Sequence, residues 1–196
     1  MNKIQKEIQI VAITGSVRQG SYTSKALAIV VDEIRKHADI SVKVIDPNDI
    51  QLPLPGKKED ASIRALNQVV SGATGVILAT PEYHGSYSSV IKLVIENLGY
   101  PSVLSGKPVA LLGVASGAIG AIKAIEHLAS VCAHIGAVVL PGPVSVAHVE
   151  KIFDKNGKCL DPVMDKRIRS VANNLIQYIR NHICPKIALE ELVRKE

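Results

Sequence analysis

The stretch Gly15-Ser16-Val17-Arg18-Gln19-Gly20-Ser21-Tyr22-Thr23 decides the fold through what stands on either side of it. Before it, residues 8–13 form an apolar run of strand length, as expected of a strand covered on both faces. After it, residues 25–37 place Ala26, Leu27, Ile29, Val30 and Ile34 on one side of a helix. Strand, polar turn and helix together make an anion site. The first helical N–H groups lack intrahelical acceptors, and the helix dipole favours negative charge beside them. Ser16, Ser21 and Thr23 add hydroxyls, and Arg18 adds a planar cation suited to phosphate. Gly15 and Gly20 let the backbone come close. The loop is expected to hold a phosphate.

Its spacing excludes two common phosphate loops. The Gly-Lys-Ser/Thr ending of a P-loop is missing, and so are the three glycines of the dinucleotide fingerprint. Hydroxyls with one arginine suit a terminal phosphomonoester better than a buried pyrophosphate. The competing reading is a solvated turn with an N-cap at Ser21 or Thr23.

Strand and helix patterns alternate outward from this stretch. Strands are expected at residues 8–13, 41–45, 75–79, 108–114 and 137–140. Helices are expected at 25–37, 61–71, 88–98, 119–135 and 161–181. Residues 46–60 and 80–86 read as loops, and 141–160 as irregular with a short hairpin around Asn156-Gly157. Residues 1–182 make one domain, and 183–196 a tail or short helix. Five βα units predict a parallel sheet with helices on both faces, of order 2-1-3-4-5. Ligands of such sheets sit at the carboxyl ends of the strands, at the switch point. Three unusual loops leave those ends, starting at Gly15, Thr80 and Ala115.

Composition agrees. The 196 residues are 47% hydrophobic but only 3% aromatic, so Val, Ile, Leu and Ala must build the core. A net charge of +5 favours anionic ligands. Lys and Arg form no stripe interleaved with aromatics, so no nucleic-acid partner is expected. Cys132, Cys159 and Cys184 form no motif, which fits a reduced, cytoplasmic setting. Residues 1–9 show no signal-peptide core, and no run is long enough to span a membrane. No metal-ligand cluster is expected.

The second loop, Thr80-Pro81-Glu82-Tyr83-His84-Gly85-Ser86-Tyr87, breaks abruptly from an apolar strand. Tyr83 and His84 offer flat faces and donors, and Gly85 allows close approach, so a planar hydrogen-bonding ligand fits. Its bland reading is a surface turn. The third loop, Ala115-Ser116-Gly117-Ala118-Ile119-Gly120, is small enough to admit a flat ring, and it lacks nucleophile-elbow spacing.

In these three loops the chain resembles the NAD(P)H-dependent FMN reductases of the flavodoxin-like fold, which include azo-, quinone- and chromate-reducing members. The family's first loop has the look Gly-Ser-x-Arg-x-x-Ser-x-Asn, matched by Gly15, Ser16, Arg18 and Ser21. Its second, Pro-Glu-Tyr-Asn-Gly-Ser before a lysine-bearing helix, is matched by Pro81, Glu82, Tyr83, Gly85, Ser86 and Lys92. Ser116, Gly117 and Gly120 match its third. The resemblance spans about residues 8–143 and implies a three-layer flavodoxin-like sandwich.

It also implies that Ser16, Arg18, Ser21, Tyr22 and Thr23 hold the FMN phosphate. Pro81, Glu82, Tyr83, His84, Gly85 and Ser86 would border the flavin ring, and Ser116 and Gly117 would approach it. The implied reaction is ping-pong transfer from NADPH or NADH to flavin, then to a small-molecule acceptor: FMN, a quinone, an azo compound or a metal oxyanion. Flavin chemistry requires no side-chain nucleophile, so no residue is assigned as catalytic, and His84 stands as the candidate for proton transfer or ring tuning. A homodimer or homotetramer is implied; Ile91, Leu93, Val94 and Ile95 exceed what one helix face needs, so one set is expected to face the sheet and the rest another subunit. The sequence departs from the family at Thr23 and His84, each in place of Asn, and at Ser88-Ser89, in place of Pro-Gly. The alternative is a flavodoxin-like electron carrier without nicotinamide chemistry, which the basic charge and Arg18 fit poorly.

Overall fold

Strand β1 (Ile8–Thr14) runs through the middle of the sheet, in parallel pairing with β2 (Ile40–Ile45) on one side and β3 (Gly75–Tyr83) on the other. The computed structural model describes residues 7–57 and 61–194. The readings at residues 1–6, at the close of the 46–60 loop and at the last two residues lie outside the described residues. Beyond β3 the sheet continues in parallel through β5 (Pro108–Val114) to β6 (Val138–Val139), giving the order β2-β1-β3-β5-β6. The five expected strands are therefore present, in the expected order.

Alternation along each strand sends side chains to two cores. Ile10, Ala12, Ile77, Ala79, Ala110 and Leu112 face α1 (Tyr22–Arg35) and α6 (Pro162–Tyr178). Val11, Ile13, Val76, Leu78, Val109 and Leu111 face α2 (Ala61–Gly72), α3 (Ser89–Glu96) and α4 (Ile122–His134). Because both faces are covered, the central strands read as continuous apolar runs.

Several boundaries differ from the sequence reading. The third strand runs on to Tyr83 and returns through β4 (Ser86–Tyr87), so residues 80–86 are strand and hairpin rather than loop. Pairing of β3 with β1 stops at Ala79, so Pro81 lies where β3 has lost a neighbour and proline is tolerated. The fifth strand is interrupted. After Pro141-Gly142-Pro143 it resumes as β7 (Val144–Val146), which pairs with Leu112, Gly113 and Val114 of β5. The sheet therefore counts seven strands rather than five. The fourth helix starts at Ile122, because Gly120 adopts a φ of 72° that no α-helix accepts.

A one-turn α5 (Val149–Ile152) precedes the hairpin expected near Asn156-Gly157, where Phe153 bridges to Cys159. Of the two readings for residues 183–196, the short helix is the one found, and it is continuous with the last helix of the domain. That last helix widens into a π-helical segment (Ile179–Ile183) and continues as α7 (Cys184–Val193). Pro185 explains the widening: it lacks an N–H and its ring crowds the preceding turn. Helix α3 buries Ile91, Val94 and Ile95 inside the chain and leaves Leu93 half-buried. Ile91, Val94 and Ile95 are thus the set expected to face the sheet. Among the described residues, no helix is long and apolar enough to cross a membrane.

Candidate functional site

The first loop crosses from β1 to α1 at the carboxyl end of the sheet. Gly15 is needed there for close approach: a Cβ would stand 2.8 Å from the Ala79 carbonyl oxygen and 2.9 Å from Ile91 Cβ. Its N–H instead donates to that carbonyl at 2.6 Å, which ties the loop to β3. Ser21 is the N-cap of α1 and accepts from Ser24 N–H at 3.1 Å. That leaves the N–H groups of Tyr22 and Thr23 at the helix start with no acceptor among the described residues. Ser16 and Thr23 are buried, and the Ser16 hydroxyl accepts from Arg18 N–H at 3.3 Å. The Tyr22 ring turns toward Phe153, with ring centroids 6.1 Å apart, so its backbone rather than its ring serves the loop.

Arg18 forms no ion pair among the described residues. Its guanidinium lies 5.4 Å over the ring of Tyr83. The phosphate-type loop and the aromatic loop therefore meet, as the sequence reading expected.

The second loop is a hairpin. Glu82 pairs with Tyr87 and Tyr83 with Ser86, around a two-residue turn, His84-Gly85, in which both φ angles are positive. That is the signature of a type I′ turn, where Asn-Gly is the preferred pair. His84 stands in the Asn position at φ 50°, so its first role is conformational. Glu82 holds the turn by accepting from Gly85 N–H. Pro81 is buried, whereas His84 and Gly85 are exposed.

In the third loop Ser116 and Gly117 are exposed, and the Ser116 hydroxyl donates to Glu150 at 3.2 Å. The loop is pinned from below by the strand after the interruption. Ala115 N–H donates to the Val146 carbonyl at 2.9 Å, and Ala121 N–H to the Ser145 hydroxyl at 2.8 Å.

Several contributors escaped the sequence reading. Ser88, 1% exposed, caps α3 and also donates to the Gly15 carbonyl at 2.6 Å. Its own N–H donates to Thr80 Oγ1 at 3.1 Å. One residue thus joins the first two loops, and the departure from proline at this position is what permits it. Ser24 and Thr14 extend the hydroxyl cluster, at 3.3 Å from each other. A capping serine before residues 89–96 was a legible signal for Ser88, but its long-range bond was not.

Electrostatics leave little room for thiol chemistry. Burial pushes the Cys132 thiol up to about 12 and raises Cys159 as well. The described residues hold no cluster of three or more metal-ligating side chains.

The site can be tested for fit to a flat, phosphate-bearing cofactor. Gly117 has no positive φ, and a Cβ built on it would meet nothing within 4 Å. Neither backbone conformation nor packing asks for glycine there, and a side chain would fill the space beside the loop. With Arg18 and the N–H groups of Tyr22 and Thr23, none of them paired among the described residues, this fits a terminal phosphate joined to a ring.

A doubly wound parallel sheet of this order, with helices on both faces, defines the flavodoxin-like class of α/β proteins. The profile of the NADPH-dependent FMN reductase family matches residues 8–151, and the chain belongs to that family. A 2-hydroxy-1,4-benzoquinone reductase of a Burkholderia species is 30% identical over 182 residues, 89% of this chain and 97% of the relative. An NAD(P)H-dependent FMN reductase of Pseudomonas aeruginosa is 28% identical over 184 residues, 89% of this chain and 96% of that one. Among solved structures, the flavoenzyme NAD(P)H:(acceptor) oxidoreductase FerB of Paracoccus denitrificans superposes with a TM-score of 0.75 at 22% identity, covering 89% of this chain and 98% of that one. The cofactor pair, FMN with NAD(P)H, and the oxidoreductase reaction follow from the family.

Proposed function

We propose that the enzyme passes electrons from NAD(P)H by way of FMN to a flat aromatic acceptor of the quinone or azo class. The observation that carries this reading is the meeting of Arg18, a cation without an ion pair among the described residues, with the aromatic face of Tyr83 at 5.4 Å. In this reading Ser16, Arg18, Ser21, Thr23 and the N–H groups of Tyr22 and Thr23 hold the FMN phosphate. Pro81 to Ser86 border the ring on one side, and Ser116 and Gly117 approach it on the other. Bound FMN supplies the hydride-accepting and electron-donating chemistry. The chain orients the ring, keeps its backbone donors near the polar edge, and leaves a path for two substrates in turn.

The acceptor class is supported by the loops' apolar rim. Val17, Tyr83, Ile119 and Ile122 are all exposed there, Ile119 at 78%. A flat aromatic ring covers such a rim better than a hydrated oxyanion. His84 serves the turn rather than proton transfer. A cytoplasmic setting is supported by the free thiols Cys132, Cys159 and Cys184. A homodimer or homotetramer is supported by the exposed apolar residues Leu189, Leu192 and Val193 of α7. Residues 1–182 form the cofactor-binding unit in this reading, with the C-terminal helix available for assembly.

Titration of the purified protein with FMN, followed by flavin fluorescence quenching, tests the site. Arg18→Ala should weaken binding by about 2 kcal/mol, a loss typical of a hydrogen bond to a charged group. Unchanged affinity would remove Arg18 from the phosphate site.

A further inference from the structure

Besides the Arg18 contact over the Tyr83 ring, the β3–β4 hairpin carries a side-chain hydrogen bond to a helix outside it. The hairpin has only two residue pairs, Glu82 with Tyr87 and Tyr83 with Ser86. A ribbon this short does not hold its own position in water. Two of its polar ties are local: Glu82 to Gly85 within the turn, and Thr80 to Ser88 at the base. The tie to a helix is Ser86 Oγ to His127 Nδ1, at 3.0 Å. His127 belongs to α4, the helix that the Ser116–Gly120 loop opens, and Tyr87 packs beside it against Ala121 and Ala124. The contact therefore ties the hairpin to the helix that follows the third loop.

We propose that His127 is a positioning residue for the flavin cleft: acting through Ser86, it fixes the hairpin tip and sets the direction in which the Ser86 hydroxyl donates. The inference rests on the flavin reading of the site. Ser86 can serve the contact in either direction. When Nδ1 carries a lone pair, the Ser86 hydroxyl donates to it and its proton is unavailable to a ligand. When Nδ1 carries a proton, it donates to Ser86 Oγ, and the hydroxyl proton turns to another acceptor. A carbonyl or ring nitrogen on the cofactor gains a donor in the second state and loses it in the first.

Other charged and titratable groups share this region. Glu82, Tyr83 and Tyr87 lie on the hairpin strands and His84 in the turn, while Lys123 and Glu126 lie on α4. Lys123 and Glu126 pair with each other at 2.8 Å.

The test is FMN affinity, read by fluorescence quenching, for wild type, His127→Asn, His127→Leu, Ser86→Ala and the double variant of Ser86→Ala with His127→Leu. An Asn amide places a donor or acceptor near the position of Nδ1. His127→Leu should weaken binding by about fivefold, the loss of one hydrogen bond, and His127→Asn should recover most of that loss. In the Ser86→Ala background, His127→Leu should cost little more, because His127 acts through Ser86. Thermal melts of the apoprotein confirm that each variant folds. Wild-type affinity in His127→Leu would overturn the proposal, as would an equal loss in His127→Asn or an undiminished loss in the Ser86→Ala background. Failure of wild type to bind FMN would instead overturn the flavin reading beneath it.

Discussion

Gly117 and Ser88 show how single residues shape the site without touching chemistry. At Gly117 a Cβ would meet open space, so Gly117→Val should leave stability within about 0.5 kcal/mol of wild type. It should nevertheless weaken FMN binding at least about tenfold by filling the cleft, a split that urea melts and flavin titration read separately. Ser88 is the opposite case. It is buried, caps α3, and donates to Gly15, so Ser88→Ala should cost about 2 kcal/mol of stability and loosen the phosphate loop. At His84 the positive φ favours Asn, so His84→Asn should raise the melting temperature slightly and leave turnover intact. The candidate residues Arg18 and Tyr83 were legible in sequence because their chemistry is unusual for a loop. Ser88 and His127 were not: a serine before a helix signals a cap, and nothing in sequence links it to a carbonyl 73 positions away.

At the level of elements, the sheet was legible because its strands are buried on both faces and read as apolar runs. The errors came where tertiary pairing overrides local signals. Pro81 looked like the end of a strand, yet β5 continues to pair with it. Pro141-Gly142-Pro143 looked like a terminus, yet β7 resumes the pairing three residues later. Helix packing shows the same lesson for charge. Arg169 on α6 donates to Asp165 on its own helix and to Asp32 and Glu33 on α1, at 2.8, 2.6 and 3.1 Å. Lys36, first, and then Arg169 hold the Glu33 carboxyl below its ordinary 4.5. Stability from this group is therefore present above pH 4.5 and is lost as pH falls through the depressed value. Arg169→Leu should cost about 1 kcal/mol at neutral pH and should make the acid-side loss shallower, as urea unfolding on either side of that pH will show.

The whole molecule sets one face of chemistry against the rest of the fold. The three loops leave the carboxyl ends of β1, β3 and β5, which are adjacent, and the chain's own contacts bring the first two together. A cavity of about 420 Å³ at the opposite end of the sheet, lined by Gln9, Thr74, Ser105 and Ile187, lies away from these loops. Assembly should show in light scattering as a multiple of the 20.9 kDa chain; a monomer at working concentration would contradict the proposed oligomer. The central claim is that one cleft binds FMN and accepts hydride from a nicotinamide. The most direct measurement is the absorbance of FMN-loaded protein before and after anaerobic addition of NADPH or NADH. The account predicts a bound-flavin spectrum that bleaches with at least one of them and returns when a quinone is added. A bound flavin that neither nucleotide bleaches would contradict it.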